Sequence, residues 1–150
     1  MNGAQKRLVK SINLARKLSS RGTREGVALA KFIKIKNRII YSCDIGIGAY
    51  TPDDCVFHHS GLGVVIGNNV KMGNSCQLYS NICIGVKGNG IDDGDPQIGN
   101  NVVIGTGAIL LGNIHVGDQS VIAAGAVVIN DVPAGVMVAG NPAVIKNKKV

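Results

Sequence analysis

The chain has 150 residues, 45% apolar and 17% charged, with 21 Gly, no Trp, three Tyr and two Phe. That is room for one domain with a core of aliphatic side chains, and it excludes a disordered chain. The formal charge of +7 is concentrated at one end: eleven Lys and Arg against Glu25 alone give residues 1–38 a charge of +10, which leaves −3 for the rest. A basic appendage on a mildly acidic body is therefore the better description, and with no RNA or DNA motif beside it the charge does not point to nucleic acid.

Residues 1–40 form a basic segment in which Leu8, Ile12, Ala15 and Leu18, then Leu29, Phe32 and Ile33, recur at helical spacing, which predicts two short amphipathic helices. Their basic face is either a solvated face or a docking surface for an anionic membrane or an acidic partner. No apolar run approaches 18 residues, and Lys6, Arg7, Lys10, Arg16 and Lys17 interrupt the N-terminus, so a cytoplasmic protein is expected. Cys43, Cys55, Cys76 and Cys83 show no C-x-x-C spacing and are expected to be buried thiols without a disulfide.

From residue 41 to 150 the organisation changes. An aliphatic residue returns every six positions at Ile66, Met72, Leu78 and Ile84, then at Ile98, Ile104, Leu110, Val116, Ile122 and Val128. Four residues after most of them comes a second small or β-branched position: Val70, Cys76, Ile82, Val102, Ala108, Ile114, Ser120 and Ala126. A six-residue period fits neither a helix nor a simple strand alternation, but it fits a coil with flat sides, three to a turn, whose stacked strands pair in parallel and bury an aliphatic column. The expected fold is an all-β core of this kind behind a short helical segment.

Two breaks interrupt the period. Ile66 follows Phe57 by nine positions where six are expected, with His58-His59-Ser60-Gly61 between them, and Ile98 follows Ile84 by fourteen, with Asp92, Asp93 and Asp95 between them, predicting an extruded loop. Histidine is the side chain best placed to act as a base near neutral pH. His115 lies in the regular repeat and should face solvent; His58 and His59 are neighbours that should face opposite ways, so one of them serves a site. Asp44 precedes His59 by 15 residues, close to one turn of the coil, so its carboxylate could orient the imidazole, or it could be a solvated acid beside a corner histidine. With three histidines, two of them adjacent, a zinc site is not expected.

The period resembles that of the hexapeptide-repeat acyltransferases, which implies a left-handed parallel β-helix. Cys43-Asp44-Ile45, followed by Phe57-His58-His59-Ser60-Gly61-Leu62-Gly63-Val64-Val65-Ile66-Gly67, is similar to the serine acetyltransferase branch of that family, as is the closing series Ile104-Gly105-Thr106-Gly107-Ala108, Ile122-Ala123-Ala124-Gly125-Ala126 and Gly140-Asn141-Pro142-Ala143. The resemblance implies acetyl-CoA as cosubstrate, a homotrimer with the cleft between subunits, His59 as general base oriented by Asp44, and Gly85, Thr106 and Ala124 along the pantetheine arm. It also implies a CoA-phosphate contact near the C-terminus, where this chain has Val144 and then Lys146. The acceptor positions differ from the branch: His58 replaces an Asp before the base, and Gly94-Asp95 replaces Arg-His in the loop. Those changes favour a neutral saccharide or polysaccharide-precursor hydroxyl, held by His58, Asp92, Asp93 and Asp95, over L-serine, which is the alternative acceptor.

Overall fold

The computed structural model describes residues 3–88 and 94–147. Two helices, α1 (Gly3–Ser19) and α2 (Arg24–Tyr41), precede fourteen short strands numbered β1 to β14 along the chain. The side chain of Thr23 caps α2 by accepting from the Gly26 N–H at 3.1 Å, which fills one of the amide donors that a helix start leaves unpaired.

The strands stack on three sides. Sheet I holds β1 (Asp44–Ile45), β3 (Val65–Ile66), β6 (Cys83–Gly85), β9 (Ile109–Leu111) and β12 (Val127–Val128); sheet II holds β4 (Lys71–Met72), β7 (Gln97–Ile98) and β10 (His115–Val116). Sheet III holds β2 (Val56–Phe57), β5 (Gln77–Leu78), β8 (Val103–Ile104), β11 (Val121–Ile122), β13 (Met137–Gly140) and β14 (Ala143–Asn147). All pairings are parallel except that of β13 with β14, which folds back and closes the end of sheet III. Register is kept from turn to turn, as in Val65↔Cys83, Cys83↔Ile109 and Ile109↔Val127.

The six-residue period maps onto this coil. All ten in-phase aliphatics are buried, and so are the eight residues at the second position. Each side therefore sends one side chain inward from its strand and one from its corner. Ser120, the polar member of the second set, donates its hydroxyl to the Gly117 carbonyl at 2.8 Å, so its own polar group is paired. The corners are tied by side chains from the adjacent turn: Asn68 accepts from Gly48, Asn100 from Asn74, and Asp118 from Asn100. This accounts for the Asn and Asp that follow the in-phase glycines.

Leu8, Val9 and Ile12 of α1 share the core of the coil. The predicted face of α2 needs correction. Ile33 is buried together with Gly26, Ala30 and Asn37, whereas Leu29 and Phe32 face solvent, because α2 packs on α1 through small residues while its bulky ones point away. The cysteines also divide. Cys43, Cys55 and Cys76 are buried as expected, but Cys83 is half-buried, since it precedes the inward-facing Ile84 and strand alternation turns it outward.

Between β6 and β7 eleven residues connect two sides that the turn before joins with four. Residues 89–93 of that connection, and with them the predicted substrate contacts Asp92 and Asp93, lie outside the described residues. Among the described residues no helix is long and apolar enough to cross a membrane.

Candidate active site

The corner between sheets III and I is where the first break falls. His58–Gly61 make a single tight turn in which His59 (φ 51°, ψ 30°) and Ser60 (φ 56°, ψ 30°) both occupy the left-handed region. For a residue with a Cβ that conformation costs about 1 kcal/mol, so the surrounding structure must hold it. Gly61 shows how. Its φ is +79°, and a Cβ there would lie 2.8 Å from Leu8 Cδ2 and 3.6 Å from the Phe57 ring. Helix α1 thus presses on the inside of the turn and leaves no room for a larger residue.

The two histidines are used differently. His58 stacks on Tyr79, with ring centroids 4.2 Å apart and planes 12° from parallel, and its Nε2 lies 3.3 Å from Gln77 Oε1. Its ring is engaged by neighbours in the turn above. His59 points the other way and is exposed, in a pocket of about 500 Å³ bounded by Arg7 of α1, Ile40 and Tyr41 of α2, and Ser42, Ser60 and Leu62.

Main-chain bonds stack this corner through the molecule: Gly63 N donates to Ser42 O, Asn81 N to Leu62 O, Gly107 N to Ser80 O and Gly125 N to Thr106 O, each at 2.9 Å. Thr106 and Ala124 therefore stand on the same edge of the coil as His59. The glycines beside them, Gly107 and Gly125, would carry a Cβ into open space, so the main chain here is bare.

Asp44, Gly85 and Asp95 belong to a second groove of about 670 Å³ over the outer face of sheet I. Its floor is apolar, with Ile47, Val65 and Val86, and Lys31 and Lys34 of α2 stand at its rim. Asp44 is half-buried and ion-paired there: Lys34 Nζ lies 2.7 Å from its Oδ1, and Arg38 is 3.8 Å from its Oδ2. Among the described residues no hydrogen bond or ion pair joins Asp44 to His59, so the expected dyad is not formed in this structure. The carboxylate is held by the two cations of α2 instead.

Asp95 is 6% exposed. Its Oδ2 accepts from the Asn69 N–H at 3.0 Å and braces the corner below, while its Oδ1 is buried with no hydrogen-bond partner among the described residues. Gly67 permits this position, since a Cβ on it would collide with that oxygen. At Gly85 the nearest atom to an added Cβ would be the same oxygen, 3.9 Å away, so the Gly85 main chain is open to the groove. Lys146, on β14, is exposed, as is His115, which lies on the outside of β10 with Nδ1 4.0 Å from Asp131.

Sequence reasoning missed Tyr79 and Gln77, which occupy His58, and Lys34 and Arg38, which occupy Asp44. The first pair lies one turn above His58 and could have been placed by the coil period. The second reaches Asp44 from a helix whose packing angle no local pattern encodes.

Comparison with known proteins agrees with this architecture. The bacterial transferase hexapeptide family (six repeats) matches residues 95–130. The serine acetyltransferase of Synechococcus elongatus is 38% identical over 106 residues, which are 71% of this chain and 43% of the relative. That of Helicobacter pylori is 36% identical over 115 residues, covering 77% of this chain and 67% of the relative. Among solved structures, Brucella abortus serine acetyltransferase in complex with coenzyme A superposes with a TM-score of 0.87 at 32% identity, over 95% of this chain and 55% of that one. Neisseria gonorrhoeae serine acetyltransferase in complex with serine gives 0.84 at 30%, over 93% and 55%. This chain thus spans about half the length of most of these proteins. A coil of six-residue repeats with an inserted histidine corner, matched over two thirds of a relative at this identity, belongs to the serine acetyltransferase family of hexapeptide-repeat transferases.

Proposed function

We propose that this protein is an acetyl-CoA-dependent O-acetyltransferase whose general base is His59. The single observation that carries the reading is the His58–Gly61 corner, where an inserted histidine is exposed in a pocket on the same edge as Thr106 and Ala124. Its left-handed backbone is shared by Ser42, Ser75, Asn81, Asn101 and Gln119 and belongs to the corners of the coil; the histidine and its pocket are what distinguish this corner. The bare main chain at Gly85, Gly107 and Gly125 and the apolar floor beside Lys31 and Lys34 suit a thin acyl arm ending in phosphates. Acetyl-CoA, when bound, supplies the activated acyl group.

His59 takes the proton of the acceptor hydroxyl on a ring nitrogen as the hydroxyl oxygen bonds to the acyl carbon, and gives that proton to sulfur as the carbon–sulfur bond breaks. No acyl-enzyme is needed. Asp44 acts on His59 only in a conformation in which Lys34 and Arg38 release it. We further take the coil to be left-handed, as the family match supports, and the site to lie between copies of a homotrimer. The division of the predicted residues between two outer grooves of one chain favours that arrangement, because a second copy is what would bring Gly85 and Asp95 to face Thr106 and Ala124.

The names of the relatives put the hydroxyl of L-serine first as acceptor, reversing the order expected from the loop residues. The observation that keeps a saccharide as the second reading is Asp95: a buried carboxylate oxygen without a partner among the described residues repels a substrate carboxylate and accepts from a hydroxyl. Thiol release from acetyl-CoA, measured with L-serine and with a panel of sugars and nucleotide sugars, tests both. Turnover with serine alone selects the first reading, turnover with a saccharide alone selects the second, and no turnover with any hydroxyl acceptor overturns the proposal.

A further inference from the structure

Helix α2 has a second apolar face that nothing among the described residues covers. Its inner face, Gly26, Ala30, Ile33 and Asn37, is buried. On the outer side Phe32, Ile35 and Ile39, spaced three and four residues apart and so forming one stripe, are 63%, 55% and 76% exposed. Side chains of this size rarely stay in water as a row on a helix, and a row of this kind marks an interaction surface.

The charge around the stripe says what the partner is. Lys31, with Arg24 two turns farther toward the N-terminus, lines one flank beside Lys34 and Arg38, whose charges are shared with Asp44, and Lys36 stands on the other flank; Glu25 is the one acid of the helix. Two copies of α2 placed face to face would set these cations against each other, which disfavours a symmetric contact between copies. An acidic surface with an apolar interior satisfies both features at once. Helix α1 adds Lys6, Arg7, Lys10 and Lys17, all exposed. A helix lying in the plane of a membrane has this construction, with bulky apolar side chains down and Lys and Arg at the level of the headgroups.

We propose that the protein docks on anionic lipid bilayers through the Phe32–Ile35–Ile39 stripe and the cations that flank it, with α2 parallel to the membrane plane.

The test is co-sedimentation of the full chain with sucrose-loaded vesicles of phosphatidylcholine alone and with about one third phosphatidylglycerol. The expected result is binding at least about tenfold stronger to the anionic vesicles, weakened by added salt. Phe32→Gln/Ile39→Gln should lose about tenfold or more, and Lys31→Gln/Lys36→Gln roughly fivefold for each charge removed. Val144→Gln, an exposed apolar residue on β14, should bind as the parent does. Circular dichroism melts show whether the variants fold; all the changes lie on exposed side chains. Equal binding to both vesicle types, no binding to either, or anionic binding that survives both double substitutions would overturn the proposal. Light-scattering masses of the stripe variant identify the rival: loss of vesicle-independent association on Phe32→Gln/Ile39→Gln would assign the stripe to a second copy.

Discussion

Lys34 Nζ sits 2.7 Å from Asp44 Oδ1, tying the second helix to the first strand of the coil through the carboxylate that was expected to orient His59. Both side chains are about one third exposed, so the pair contributes less than about 1 kcal/mol to stability. Its effect is positional. Asp44→Asn should therefore lower turnover much less than His59→Ala, and Lys34→Ala should not lower it. If Asp44→Asn alone matched the loss in His59→Ala, the carboxylate would be acting on the imidazole directly.

The turn that presents His59 depends on the helix beneath it. Leu8 is fully buried between α1 and the coil and packs where Gly61 has no Cβ. Leu8→Ala should destabilise by about 3 kcal/mol, through lost burial and the cavity left behind, and should loosen the histidine corner as it does so. Thermal unfolding with and without the substitution measures the first effect, and hydrogen exchange at residues 58–63 the second. A change in melting temperature too small to resolve would mean that α1 does not support the turn.

The thiols offer a test of orientation. Burial, and after it the charge of Asp44, pushes the Cys43 thiol up to about 11. Cys55 is raised through its hydrogen bond to Cys76 and by burial. Only Cys83 faces the groove over sheet I. At pH 8 a maleimide should modify Cys83 quickly in the folded protein, and all four thiols once it is denatured. Mass spectrometry that found Cys43 or Cys55 modified first would contradict the coil register.

The repeat was legible because burial in a prism of three sides is periodic: every in-phase position from Ile66 to Val128 is inside. Cys83 was legible by the same rule, since it precedes Ile84, but was misjudged from the usual behaviour of isolated cysteines. The histidine corner showed itself as a break in the period. The pairing of Asp44 with Lys34 did not, because residues in a helix and in a coil meet through the packing of whole elements. Nor did the exposure of Phe32, since Phe32 and Ile33 both satisfy a helical spacing and only the small residues Gly26 and Ala30 decide which of the two faces inward.

His59 is the one group of the proposed reaction that moves the acceptor proton. The most direct measurement compares His59→Ala and His59→Gly with the parent, for turnover at saturating acetyl-CoA and acceptor and for thermal stability. Both variants should lose at least about 100-fold in turnover, while His59→Gly, freed of the left-handed strain of roughly 1 kcal/mol, should melt no lower than the parent. Turnover retained in either variant would contradict that role.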